Sequence, residues 1–245
     1  MWWALLWGGV AGGALLLGAV AGIRFNASPR LIGGVMAFGA GVLISALAFS
    51  LTTEAFDRGG ALAVTVGLAL GALTFFAGDW ILDHNGGRNR KRSSGQGADA
   101  RAGDGGLVLA LGALLDGIPE SAAIGITLLG GGPVGLSMVT AVFLSNIPEG
   151  WSSSAGMRKS GRSTRYIMAL WLSVVVASAL ASLAGYLLLG YAHPVVIGGV
   201  QAFAAGAIIA MLADTMMPEA FEQGGPTTGL LTALGFTLSF LLSQV

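Results

Sequence analysis

The chain has 245 residues, of which 54% are hydrophobic and 10% are charged, and its mean hydropathy is +0.79. Soluble domains carry about 25% charged residues, so this composition excludes a soluble globular protein and predicts an all-α membrane protein. Twelve basic and twelve acidic residues give a formal net charge of zero, and without cysteine the chain has neither disulfides nor thiolate metal ligands.

Apolar segments of about 20 residues are long enough to cross the ~30 Å hydrocarbon core of a bilayer as helices. The sequence contains eight such segments, with no room between them for a soluble domain. We therefore predict one transmembrane domain over residues 1–245. Its predicted spans are Trp2–Ile23, Leu31–Leu51, Ala61–Leu82, Leu107–Leu129, Val134–Ser154, Ile167–Tyr191, Val195–Met217 and Thr228–Val245.

The basic residues predict the orientation of these spans. Eleven of the twelve follow spans one, three and five, and loops rich in Lys and Arg face the cytoplasm. We expect a multi-pass protein of the plasma (inner) membrane with both termini outside. The polar, Gly-rich stretch at about 84–106 is predicted to be a flexible cytoplasmic loop. Its basic cluster is interpreted as a topology signal in contact with the lipid bilayer, with no nucleic acid partner.

Two segments of the sequence are similar to one another. Residues 36–60 match residues 201–225 at an offset of 165, with 12 of 25 positions identical, and both copies contain Glu-Ala-Phe-acid-x-Gly-Gly. On the predicted topology the first copy runs outward and the second inward. Such inverted repeats occur in many secondary transporters. We predict that spans one to three pair with spans six to eight around spans four and five.

Spans four and five carry two related motifs, which extend from Asp116 to Glu120 and Ser121 and from Ser145 through Asn146 to Glu149 and Gly150. Helical spacing puts Asp116 and Glu120 on one face, and Ser145 and Glu149 likewise. An ionisable side chain at mid-membrane costs about 2.5–3.5 kcal/mol on the mildest scale. Since no Lys or Arg lies inside a predicted span, bound cations or protons must balance these carboxylates.

The motif prolines supply further oxygen atoms. Pro119 cannot donate a hydrogen bond to the carbonyl of Leu115, and Pro148 cannot donate one to that of Leu144. Sites rich in oxygen suit hard cations and also accept zinc, iron or manganese. The motifs therefore predict a divalent-cation site near the membrane midplane. The alternative is a set of protonated carboxylic acids that pack the helices together.

These motifs, the eight spans, the loop after span three and the inverted repeat resemble the ZIP (zinc/iron-regulated transporter-like) metal transporters. The resemblance implies a transporter and not an enzyme. Its substrate would be a divalent cation such as zinc, iron or manganese, carried into the cytoplasm without a cofactor. A homodimer is compatible with this prediction. The metal ligands implied are Asp116, Glu120, Asn146 and Glu149, with Ser145 beside them and Asp214 on the exit path.

The chain departs from the family pattern in its metal ligands. Where the family usually reads His-Asn-x-Pro-Glu-Gly, this sequence has Asp116, Gly117 and Ser121 at the first, second and last positions. The nearest match to the family's helix-six Glu is Ser182. Loss of the imidazole removes the ligand that best suits zinc. We expect one main site with a preference shifted toward harder ions, or a broad one.

Two other functions fit parts of the sequence. An intramembrane enzyme could use Asp116 and Glu120 as an acid/base pair, although the matched prolines and the repeat argue against it. A proton-coupled carrier of another solute is the third hypothesis. Glu54 and Glu219, at matching repeat positions just beyond spans two and seven, are interpreted as helix-end carboxylates in water. The alternative is that they form collars at the entry and exit.

Overall fold

A computed structural model describes residues 1–25, 28–84, 105–130 and 135–243, and within these ranges the fold is helical without strands. This confirms the all-α prediction, whereas the predicted loop at about 84–106 lies almost wholly outside the described residues. The helices are α1 Trp2–Arg24, α2 Pro29–Ala46, α3 Thr52–Leu82, α4 Gly105–Thr127, α5 Leu136–Lys159, α6 Thr164–Leu189, α7 Pro194–Met211, α8 Met217–Gly224 and α9 Thr228–Leu242.

Several of the described segments have the length and apolar character of membrane spans. Four segments meet both criteria, length and apolar character. Large apolar side chains remain exposed on them, as expected of surfaces in contact with lipid. This supports the prediction of a membrane protein, whereas the total of eight spans stays a prediction. The four segments are Trp2–Arg24, Pro29–Leu82, Thr164–Leu189 and Pro194–Leu242.

The segment Pro29–Leu82 folds back on itself at Gly60. Before this turn, Glu54 bonds to Gln201 and the Ala55 carbonyl lies against Gly198. Beyond it, residues 67 and 71 contact residues 199 and 203 of α7, so the chain now passes α7 in the opposite direction. Gly60 has φ 71°, a conformation that side chains with a Cβ rarely adopt. The sequence places glycine where the chain must reverse.

The segment Pro194–Leu242 repeats these features 165 positions later. Gly225 has φ 67° and ends α8, as Gly60 marks the reversal in α3. A π-helical turn spans Leu47–Leu51 in the first segment and Leu212–Met216 in the second. In both segments the helix continues past the π-helical turn. It reaches the reversal at Gly60 in the first segment and Gly224 in the second. The helices that contain the predicted spans two and seven therefore extend about two helical turns beyond the predicted span ends at Leu51 and Met217.

Helix packing is crosswise between the two segments. Helix α2 packs on α9 while α3 packs on α7, and α1 packs on both α5 and α6. Gly33 lies against Gly224, and the matching contact joins Gly198 to Gly59, so the partners exchange between copies. Exchange of this kind is what a two-fold axis produces.

Small residues make the crosswise packing tight. A Cβ at Gly41 would lie 1.9 Å from the carbonyl oxygen of Thr232, and one at Gly206 would lie 2.1 Å from that of Leu68. Membrane helices commonly approach through such positions. Alanine, valine, leucine and methionine side chains of α2, α5 and α7 then close the core.

Candidate functional site

The two motifs lie inside continuous helices, the first on α4 and the second on α5, with Pro119 and Pro148 both within helical backbone. Asp116 and Glu120 are each 2% exposed. They lie one helical turn apart on α4, which packs mainly on α6. The bundle therefore buries two carboxylates in an apolar helix, as the sequence predicted.

Asn146 and Ser145 are also buried, and the structure gives both of them structural contacts. The Asn146 side-chain amide donates a hydrogen bond of 3.0 Å to the Ala11 carbonyl of α1. The Ser145 hydroxyl donates one of 3.0 Å to the Val142 carbonyl of its own helix. In both residues the side-chain oxygen keeps lone pairs that could bind a cation.

Glu149 is half-buried and faces a different set of residues. It lines a narrow cavity between α2, α5, α7, the second π turn and α8, which we call the α5–α8 cavity. The space inside is about 10 Å³, which is about what one water molecule requires. The cavity is lined by Met36, Glu149, Ser152, Ser153, Met211, Thr215, Met216 and Glu219.

Glu219 is the functional candidate that the sequence reading misplaced. Glu219 is only 7% exposed and does not lie in water, because the helical segment continues through α8 alongside α5. Its Oε1 accepts hydrogen bonds from the Ser152 hydroxyl at 2.5 Å and the Gln223 amide at 2.7 Å. The repeated Glu-Ala-Phe pattern was the available signal, since a carboxylate that recurs at a matching position indicates a fixed place in the fold.

Glu54, the repeat counterpart of Glu219, forms a different cluster. Arg58 donates to its Oε1 at 2.5 Å, and the Gln201 amide donates to its Oε2 at 2.9 Å. Arg58 also donates to the Gln201 carbonyl oxygen at 3.4 Å. About a third of the Glu54 side chain is exposed, so the prediction of a helix-end carboxylate in water describes this residue better than Glu219.

Asp214, predicted on the exit path, lies in the second π turn and lines a separate, open cavity of about 500 Å³. Asp79, inside the third predicted span, and Asp83, just beyond its end, line the same cavity. Three carboxylates therefore line one open cavity. The cavity is lined by Phe76, Asp79, Trp80, Asp83, His84 and Asp214.

The predicted ligands do not all meet at one point. In the part of the chain that the structure describes, no three side chains of His, Asp or Glu lie close enough together to hold a metal ion. Asp116 and Glu120 belong to α4, whereas Glu149 lines the α5–α8 cavity. A cation site formed by the described residues would therefore combine carboxylates with amide, hydroxyl, carbonyl or thioether ligands.

Comparison with known proteins gives a distant likeness. No protein-family model matches the chain. A protein of Arabidopsis thaliana named "Putative zinc transporter" is 28% identical over 214 residues. The match covers 86% of this chain but 33% of that protein, so the chain spans about a third of the length of the relative.

Proposed function

We propose that the protein is a ZIP-like transporter that moves divalent metal cations such as zinc, iron or manganese into the cytoplasm. The observation that carries the proposal is the burial of Asp116 and Glu120, each 2% exposed, in an apolar bundle. Carboxylates in a membrane bundle usually line ion or proton pathways. The distant likeness to a protein named as a zinc transporter supports the same function.

The proposed substrate site is formed by Asp116 and Glu120 of α4 with Ser145, Asn146 and Glu149 of α5. These residues lie on two helices, and a bound cation would draw the two motifs together. A divalent cation supplies the free energy for this closure, because it neutralises carboxylates that are otherwise costly to bury. Release would follow when the motifs separate again.

We further propose that the chain crosses the membrane eight times and that its repeat is inverted. Two observations support this: the π turns and the positive-φ glycines recur at an offset of 165. In addition, residues 54–59 run antiparallel to residues 198–201, so the helices that contain them are antiparallel. Antiparallel repeats allow one bundle to rock against the other around a central site.

The location and orientation complete the proposal. The basic residues at the end of α5, Arg158 and Lys159, support a cytoplasmic position for that end. The protein would then lie in the plasma (inner) membrane with its termini outside, and a homodimer is compatible with this arrangement. Asp214 would lie on the cytoplasmic exit path.

The test is uptake of zinc, cadmium, manganese and iron into proteoliposomes that contain the purified chain. We expect uptake by the wild type and a fall to the protein-free background in Glu120→Ala and Glu149→Ala. The exposed Glu222→Ala on α8 is the matched control and should transport like the wild type. Wild-type uptake that persists in both motif variants would refute the substrate site.

A further inference from the structure

The described helices form two groups. In the first, which we call the α1 group, α1 packs on α5 and α6, and α4 packs on α6. In the second, the α2 group, α2 packs on α8 and α9, and α3 packs on α7. The groups meet mainly where α2 lies against α5 and where α4 lies against α7. Helix α5, which carries the second motif, thus belongs to one group and contacts the other.

Side-chain hydrogen bonds join α5 to the α2 group on both sides of its motif. Before the motif, the hydroxyls of Ser137 and Ser50 are 2.9 Å apart. Beyond it, the Ser152 hydroxyl donates to the Glu219 carboxylate at 2.5 Å. Ser137 and Ser152 are separated by roughly 22 Å along the helix. On the predicted topology the first contact lies toward the outside and the second toward the cytoplasm, and we call them the outer and the inner contact.

The two contacts use different positions of the repeat. Ser50 corresponds to Thr215 at the offset of 165, and both lie in π turns. Ser50 bonds to α5, whereas the Thr215 hydroxyl donates to the Met211 carbonyl of its own segment. Glu219 bonds to α5, whereas its counterpart Glu54 accepts from α7 within the α2 group. The outer contact therefore uses a hydroxyl of the first copy, and the inner contact uses a carboxylate of the second.

The inner contact is the stronger of the two. Glu219 Oε1 also accepts from the Gln223 amide, and acceptance from two donors suits an ionised carboxylate. Hydrogen bonds to ionised groups are roughly twice as strong as those between neutral groups, and the outer contact joins two neutral hydroxyls. The inner contact is also buried, whereas the outer one is partly buried. Water therefore competes more effectively for the outer contact.

We propose that these two contacts are the latches that control access to the α5 motif. The outer end of α5 opens when Ser50 and Ser137 separate, and the cytoplasmic end opens when Ser152 and Glu219 separate. The proposal rests on the transport function proposed above and adds a preferred direction to it. Because the outer contact is weaker, it breaks more readily in the absence of metal, and the motif then faces the side from which an importer takes its substrate.

The experiment uses single cysteines as reporters of water access, since the chain has no cysteine of its own. Ser153→Cys, at a position that is 4% exposed and lines the α5–α8 cavity, is the inner reporter. Ala141→Cys, at a position that is 0% exposed and one helical turn after Ser137, is the outer reporter. A charged methanethiosulfonate labels each purified chain in detergent without metal. Each labelling rate is divided by the rate for the same cysteine after unfolding.

Breaking one contact should expose one reporter. We expect Ser152→Ala to raise the labelling rate of the inner reporter about tenfold or more and to leave the outer reporter unchanged. Glu219→Gln, which keeps the shape of the side chain and removes its charge, should raise the inner rate by a smaller factor. Ser137→Ala should raise only the outer rate, by about fivefold, because a neutral hydrogen bond is weaker. With both contacts intact, the outer reporter should be labelled faster than the inner one.

The matched control is Thr215→Val. Thr215 lines the same cavity as Ser152, but its hydroxyl bonds within its own segment. Valine keeps the volume of the side chain, so the inner reporter should be labelled at its original rate. An equal rise in Thr215→Val and Ser152→Ala would overturn the proposal, because any lost cavity hydroxyl would then admit water.

The remaining outcomes separate the latches from the transport function. A rate that rises at both reporters in Ser152→Ala, or at neither, would overturn the latches, because the first indicates a loosened fold and the second an irrelevant contact. An inner reporter that is labelled faster than the outer one with both contacts intact would overturn the preferred direction. The expected labelling in a chain that takes up none of the four metals would overturn the transport function and leave the two contacts standing.

Discussion

The Glu54 and Glu219 clusters occupy matching positions of a repeated backbone, but they differ in their chemistry. Glu54 accepts from Arg58 and Gln201 and is about a third exposed. Glu219 is 7% exposed, accepts from Ser152 and Gln223, and lines a cavity with Glu149. The comparison shows that the repeat fixes the position of a carboxylate, whereas the neighbouring side chains determine which hydrogen bonds it accepts and how far it is exposed.

The prediction with the largest expected effect tests whether the two repeated segments pack in the same way. Gly41→Ala and Gly206→Ala each place a Cβ about 2 Å from a backbone carbonyl of the neighbouring helix. Since backbone cannot yield locally, we expect each to destabilise the fold by about 3 kcal/mol or more, or to prevent folding. Thermal unfolding in detergent measures the effect.

The control for this pair is Gly199→Ala, where a Cβ would meet nothing within 4 Å. It should be neutral or stabilising by up to about 1 kcal/mol, because alanine favours helix more than glycine. If Gly206→Ala left the stability unchanged while Gly41→Ala strongly lowered it, the two repeated segments would not be packed alike.

A smaller effect is expected at Glu219, where the clusters differ. Ser152→Ala removes the hydroxyl that donates to the buried Glu219 carboxylate at 2.5 Å. A lost hydrogen bond to a buried charged group should cost about 2 kcal/mol, read as a lower unfolding temperature. Ser160→Ala, at the exposed end of α5, should change stability by less than about 0.5 kcal/mol. Equal stability of both variants would contradict the burial assigned to Glu219.

The smallest effect is expected at Glu54. Arg58→Gln gives this cluster the i+4 partner that Glu219 has, and it removes a partly exposed ion pair. Such pairs contribute less than about 1 kcal/mol, and salt screening should shrink the difference further. Unfolding at low and high ionic strength measures this, with metal uptake as the second readout. A loss of uptake would place Glu54 on the ion path and break the contrast between the clusters.

Much of the fold could be predicted, since it depends on local properties of the sequence. The lengths of the apolar segments predicted where the helices lie, and the second Glu-Ala-Phe pattern indicated the repeat. The helix ends were harder to predict. Pro218 and Glu219 lower the hydropathy at the point where the helix continues. The predicted span therefore stopped at Met217, whereas α8 extends to Gly224.

The candidate site was predicted in part. The burial of Asp116 and Glu120 followed from their place in an apolar helix, and the structure confirms it. The contact of Asn146 with Ala11 and the cavity shared by Glu149 and Glu219 join residues far apart in the chain. Such contacts depend on which helices pack together, and spacing along a single helix carries no information about that.

The π turn at Leu212–Met216 makes the direction of Glu219 depend on residue count rather than residue identity. Such a turn accommodates one residue more than an α-helical turn, and each residue rotates an α-helix by about 100°. Relaxing this turn to regular α-helix while keeping all of its residues would rotate α8 around its axis by about that angle. The orientation of Glu219 toward α5 therefore depends on the π geometry of this turn.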